Sequence, residues 1–160
     1  MPKILVAYFS LTGSTRLIGK AVAKELGADI EEIVPVRHYP LRGLWLYLYG
    51  GMQAVLGATP RLERTIVNAH DYDIVIVGTP VWAGRMAPPV RSFLNSLALE
   101  GKKVAYFSTF QGSKGQSSKE MVDAGKGISL GEKGFKMTRK STYDSVTAAR
   151  QWAKELDLRR

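Results

Sequence analysis

The chain has 160 residues, 45% of them hydrophobic, with a formal net charge of +9 and no cysteine. That length and apolar fraction predict one domain spanning 1–160 with its own core, and no apolar run approaches the roughly eighteen residues of a membrane-spanning helix. The missing cysteines exclude disulfides, thiolate metal centres, iron–sulfur clusters and cysteine nucleophiles, so any redox chemistry must come from a bound cofactor.

Met1-Pro2-Lys3 leads straight into an apolar run without the features of a leader peptide, and the expected location is cytoplasmic. An isoelectric point of about 9.9 favours acidic partners or an anionic membrane surface. The basic residues are spread along the chain, with only a loose cluster at Lys133, Lys136, Arg139 and Lys140. Nucleic acid is therefore not an expected partner, and a solvated basic surface is the simplest reading of the charge.

Ile4 to Phe9 is a nearly continuous apolar run and predicts a strand buried on both faces. Leu17, Ile18, Ala21, Val22 and Leu26 then recur at helical spacing and stop at Gly27, a favourable residue after a helix end. A weaker strand is expected around Ile30 to Val36. From Tyr39 to Pro60, Leu44, Leu48, Met52 and Val55 fall on one helical stripe and Trp45, Tyr49 and Leu56 on its neighbour, with Gly50 and Gly51 weakening the helix. The ordinary expectation is a core helix covering the sheet; the sharper one is a contact surface for a second subunit, a redox partner or a membrane interface.

Further strands are expected at Ile74 to Val77 and Val104 to Phe107, with a short fifth at Gly131 to Met137. Val90, Phe93, Leu94 and Leu97 predict a helix that Pro88 and Pro89 would start. Another helix is expected from Ser117 and Ser118, and a last one carries Val146, Ala149, Trp152, Ala153 and Leu156. Alternating strands and helices imply an α/β domain with a parallel sheet.

Three connections bear chemistry. Ser10-Leu11-Thr12-Gly13-Ser14-Thr15 follows the first strand and opens the first helix, so hydroxyls and free helix N–H groups can surround an anion while Gly13 allows close approach. The same turn could serve simply as a helix cap. It matches neither the triphosphate loop nor the dinucleotide fingerprint, and so suits a single phosphate. Thr79-Pro80-Val81-Trp82-Ala83-Gly84 offers an aromatic wall, although Trp82 could equally be a core or lid residue. Ser108-Thr109-Phe110-Gln111-Gly112-Ser113 is a third connection of similar kind. A phosphate pocket on one strand with aromatic walls on the next two describes a site for a planar ring with a phosphorylated tail, and FMN fits it. His38 and His70 lie outside these connections and are read as surface or capping residues, and no catalytic residue is assigned.

S-L-T-G-S-T after the first strand, together with T-P-V-W-A-G-R-M-A-P-P-V-R-S-F-L, resembles the flavodoxin-like family, in particular its short-chain branch, over essentially the whole chain. The resemblance implies a three-layer α/β sandwich with a five-stranded parallel sheet in order 2-1-3-4-5 and FMN as cofactor. It further implies that Ser10, Thr12, Gly13, Ser14 and Thr15 bind the FMN phosphate, with Arg16 either adding charge or facing solvent. By the same resemblance, Thr79, Pro80, Val81, Trp82, Ala83 and Gly84 border the isoalloxazine, and Thr109, Phe110, Gln111 and Gly112 hold its pyrimidine edge and other face. The Ala83-Gly84 peptide resembles the place where flavodoxins reorient a carbonyl near flavin N5 to stabilise the semiquinone, and Gly84 is expected to make that reversal inexpensive.

The implied function is electron transfer through bound FMN. The alternatives are an FMN-dependent reductase of quinone-type small-molecule acceptors using NAD(P)H, and a non-catalytic binding module at a membrane or protein partner. A redox partner protein is expected to present an acidic face, and a homodimer or membrane contact is left open. The chain departs from typical flavodoxins in being basic, and a positive surface opposes the anionic reduced flavin less than an acidic one. The expected outcome of a redox titration is a potential for full reduction less negative than in acidic members; a very low value would overturn the electrostatic argument.

Overall fold

The computed structural model describes residues 1–39, 43–64, 68–156 and 158; residues 40–42 of the Tyr39 to Pro60 stretch thus lie outside it. Five strands form a parallel sheet: β1 (Ile4–Tyr8), β2 (Asp29–Glu32), β3 (Ile74–Trp82), β5 (Lys103–Phe110) and β6 (Ile128–Lys136), in spatial order β2-β1-β3-β5-β6. A two-residue strand, β4 (Arg85–Met86), folds back antiparallel on the end of β3. Leaving β4 aside, this is the expected order 2-1-3-4-5.

Residue alternation on the central strands builds two cores. Leu5, Ala7 and Phe9 on β1 and its extension, Val75 and Val77 on β3, and Val104 and Tyr106 on β5 face α3 (Pro88–Ser96) and α4 (Ser117–Gly125). Ile4, Val6, Tyr8, Ile74, Ile76, Ala105 and Phe107 face α1 (Ser14–Leu26) and α5 (Thr142–Glu155). With apolar cover on both faces the central strands carry no polar side, which is why they read as continuous apolar runs. The result is a three-layer α/β sandwich.

Large rings on these strands need empty space opposite them. A Cβ on Gly78 would stand 2.0 Å from Phe107 Cζ, and one on Gly19 in α1 2.4 Å from Tyr8 Cδ1. Gly78 thus continues β3 where a break was expected, so Thr79 to Trp82 belong to the strand and not to a loop. Likewise Ser108 to Phe110 belong to β5. Pro80 is tolerated because β1 pairs no further than Gly78, leaving β3 a free edge there.

Two boundaries differ from expectation. β2 ends at Glu32, because the chain turns to form an antiparallel bridge between Pro35 and Leu62 instead of continuing to Val36. β6 begins earlier than Gly131 and takes in a bulge, with Leu130 as the extra residue between paired Ser129 and Gly131. Its charges face outward on an edge strand, where they discourage pairing with other chains. Among the described residues, no helix is long and apolar enough to cross a membrane.

The stretch from Leu44 departs furthest from expectation. It forms a helical turn, a π-type turn over Leu46–Gly50 and then the short helix α2 (Gly51–Val55). It is not a core helix: its small residues face inward and its large apolar residues outward.

Gly78→Ala is expected to cost about 2–3 kcal/mol by overpacking against Phe107. Tyr106→Phe should instead leave stability unchanged or raise it by up to about 1 kcal/mol. Its hydroxyl is buried without a partner, and burial pushes the phenol up to about 12. Urea unfolding of the two variants checks both signs.

Candidate functional site

At the carboxyl ends of β1, β3 and β5 the structure encloses a cavity of about 490 Å³. This is the point where the strand order reverses between β1 and β3, the usual ligand crevice of open α/β sheets. Thr12, Ser14 and Thr15 line it from the first connection, Pro80, Val81, Trp82, Ala83 and Gly84 from the second, and Thr109, Phe110, Gln111 and Gly112 from the third.

Ser10, Gly13 and Thr79 do not line the cavity; they shape its wall. Ser10 Oγ accepts hydrogen bonds from the N–H groups of Gly13 (3.2 Å) and Arg16 (3.1 Å). Gly13 sits at φ 101° immediately before α1, a conformation that glycine adopts without strain. Thr79 Oγ1 donates to the Pro80 carbonyl and accepts from Ala87 N–H, both at 2.9 Å, which fixes β3 against the start of α3. Arg16 pairs with Glu32 through two of its nitrogens and is thereby drawn away from the cavity.

With Ser10 occupied by Gly13 and Arg16, the N–H groups of Ser14 and Thr15 have no hydrogen-bond partner among the described residues. They open a thirteen-residue helix, so the helix dipole adds to their pull on an anion. The hydroxyls of Thr12 and Ser14 stand on the same connection. This donor set suits a phosphate monoester. Among the described lining residues there is no carboxylate, imidazole, ammonium or guanidinium, and Tyr47 supplies the one phenol.

The three connections are tied to one another. Thr15 Oγ1 and Thr109 Oγ1 share a buried hydrogen bond of 2.8 Å, joining the first to the third. Gln116 N–H donates to the Gly84 carbonyl at 2.7 Å, joining the third to the second. Gly115 permits this approach, since a Cβ there would lie 2.4 Å from Gly84 O. Phe110 is seated over Gly134 of β6, whose absent side chain would otherwise come within 2.8 Å of its ring.

Trp82 lines the cavity and is also braced from behind, edge-on to Phe9 at 5.6 Å and to Tyr39 at 4.8 Å between centroids. A Cβ on Gly50 would be 3.1 Å from the same indole, and Gly51 packs toward Ala83. The glycines that weaken the 44–56 helix in sequence terms are therefore what lets it lie against the site. Leu46, Tyr47 and Gly51 from this segment join the lining, as do Leu11, Ser113 and Met137. Sequence reasoning placed Leu11 and Ser113 on the site's connections without giving them a role, and assigned none of the other four to the site. The paired glycines beside an aromatic run were the available signal for the first three.

Ala83 and Gly84 are the central pair of the β3–β4 hairpin, with φ of 50° and 72°. Positive φ at both positions defines a type I′ turn. Reversing the Ala83–Gly84 peptide would leave Ala83 in the first central position of a type II′ turn, which favours glycine. Gly84 alone therefore does not make the reversal inexpensive, contrary to expectation.

The sequence profile of the flavodoxin family matches residues 3–155. The chain belongs to the flavodoxin family. Among solved structures it resembles a proposed flavoprotein from Bacteroides uniformis, with 24% identity, coverage of 96% of this chain and 98% of that one, and a TM-score of 0.78. A proposed flavoprotein from Bacteroides eggerthii matches at 23% identity, 99% and 100% coverage and a TM-score of 0.76. A flavoprotein from Lactobacillus acidophilus, solved in complex with FMN, matches at 19% identity, 92% and 99% coverage and a TM-score of 0.73. At these identities the likeness is one of fold.

Thr15→Val should cost about 1–3 kcal/mol by leaving the buried Thr109 hydroxyl unpaired. Thr15→Val with Thr109→Val should cost less than the sum of the two single changes. A double-mutant cycle on the ligand-free protein, read by urea unfolding, checks this.

Proposed function

We propose that this protein is an FMN-binding redox protein that passes electrons through the bound flavin. The observation that carries the proposal is one cavity at the strand-order reversal with a phosphate-suited donor set on one wall and aromatic side chains on the others. In this reading the N–H groups of Ser14 and Thr15 and the hydroxyls of Thr12 and Ser14 hold the phosphate. Trp82 and Phe110 flank the ring system, and the backbone from Thr109 to Gly112 meets its polar edge. The flavin supplies one- and two-electron transfer; the chain supplies position, shielding and electrostatics. Membership of the flavodoxin family and the FMN-bound L. acidophilus fold relative support the reading.

Among the described residues the donor set balances a phosphate with dipoles, and no lysine or arginine lines the cavity. A cytoplasmic setting and a partner protein with an acidic face belong to the same reading, the latter because the chain carries +9.

Titration with FMN and with riboflavin tests it. FMN should bind roughly ten- to a hundred-fold more tightly than riboflavin, the contribution of charge-assisted hydrogen bonds to the phosphate. Ser14→Ala should weaken FMN and leave riboflavin nearly unchanged. Absence of saturable FMN binding overturns the proposal. Direct reduction of the bound flavin by NAD(P)H in an anaerobic absorbance titration would move the reading from carrier to reductase.

A further inference from the structure

From Leu44 to Pro60 the chain carries no charged residue, yet this stretch holds the densest run of exposed large apolar side chains among the described residues. Trp45, Tyr47 and Leu56 are each exposed by about three quarters (74%, 76% and 74%), and Leu44, Leu48, Met52 and Val55 are also more than half exposed. The inward positions are taken by Gly50, Gly51 and Ala54. A Cβ on Gly50 would stand 3.1 Å from the Trp82 indole, so that inward position takes no large side chain unless the indole moves. The segment is nevertheless firmly attached: Tyr39 Oη donates to Gln53 Oε1 at 3.0 Å, and Tyr39 packs on Tyr49.

The two stretches of chain that flank the segment are basic and held together. Pro35 bridges Leu62, and Val36 N–H donates to the Arg61 carbonyl at 2.9 Å. This pairing puts Arg37 and Arg61 on adjoining stretches of chain, while Arg64 lies further along beside Glu31, Glu32 and Glu63. Arg37 and Arg61 are exposed and form no ion pair among the described residues. Exposed leucine, tryptophan and tyrosine beside unpaired arginines are the arrangement of a segment that lies in a lipid–water interface, where aromatic rings sit at headgroup depth and arginines meet lipid phosphates.

We propose that the protein docks on anionic membranes by inserting the outer face of 44–56 into the headgroup region, with Arg37 and Arg61 against lipid phosphates. Charge complementarity selects this occupant over a second copy of the chain, because a symmetric contact through this face would bring two basic flanks together in molecules that each carry +9. Since Leu46 and Tyr47 also line the cavity, docking sets the cavity beside the bilayer. The proposal does not depend on what the cavity binds.

Vesicle co-sedimentation tests it, using phosphatidylcholine vesicles with and without phosphatidylglycerol, on the full chain with and without FMN. The expected result is binding to the anionic vesicles that weakens with added salt. The double variant Trp45→Ser with Leu48→Gln, neither residue lining the cavity, should lower the partition coefficient by roughly tenfold or more. Arg37→Glu with Arg61→Glu should lower it comparably on anionic vesicles, while circular dichroism stays native for both variants. No binding to anionic vesicles overturns the proposal, as does binding that the two variants leave intact. A dimer detected by light scattering, dissociated by the Trp45 and Leu48 changes in protein that ignores vesicles, would assign the face to a second copy instead.

Discussion

The structure depends on a parallel sheet whose central strands are apolar on both faces. Such strands can only exist between two layers of helices, and the crossovers this demands return the chain each time to the same end of the sheet. All carboxyl-terminal connections therefore gather on one edge without any attraction between them. Packing at the glycine and ring positions sets how closely the strands and helices approach: Phe107 over Gly78, Tyr8 over Gly19 and Phe110 over Gly134. Two of those seats lie within a few residues of the cavity, so core packing and site geometry are parts of one constraint.

What the sheet brings together, hydrogen bonds then fix. Buried Thr15 and Thr109 join two connections, and the Gly84 carbonyl anchors the third through Gln116. Donors held in place before a ligand arrives leave little ordering cost to fall on binding. Arg16, the nearest positive side chain by sequence, is neutralised by Glu32. Among the described residues the cavity is thus lined by dipoles and aromatic walls and by no positive side chain.

The 44–56 segment inverts the usual order of a surface helix. Gly50 and Gly51 let it press on Trp82 and Ala83, and the consequence is that its large apolar residues have nowhere to go but outward. The same residues that brace the cavity wall therefore produce an apolar surface next to it.

Much of this was legible in the chain itself. Continuous apolar runs at Ile4, Ile74 and Val104 are satisfied by a doubly covered parallel sheet, and the hydroxyl-rich turn after the first strand lies where a helix begins and does line the cavity. Ser14, Thr15, Trp82, Thr109 and Phe110 lie at or just beyond the strand ends that such a sheet delivers to one edge, so local pattern sufficed to name them. Local pattern could not say which hydroxyls face the cavity and which brace its wall, because Ser10 and Thr79 are turned away by partners up to eight residues distant. Nor could it show that Thr79 to Trp82 extend a strand, since Gly78 reads as a break until the Phe107 ring fills the space above it. The outward turn of Trp45, Leu48 and Leu56 was likewise decided in three dimensions: helical periodicity fixes which residues share a face, but the bulk of Trp82, meeting Gly50 from β3, bears on which face points in.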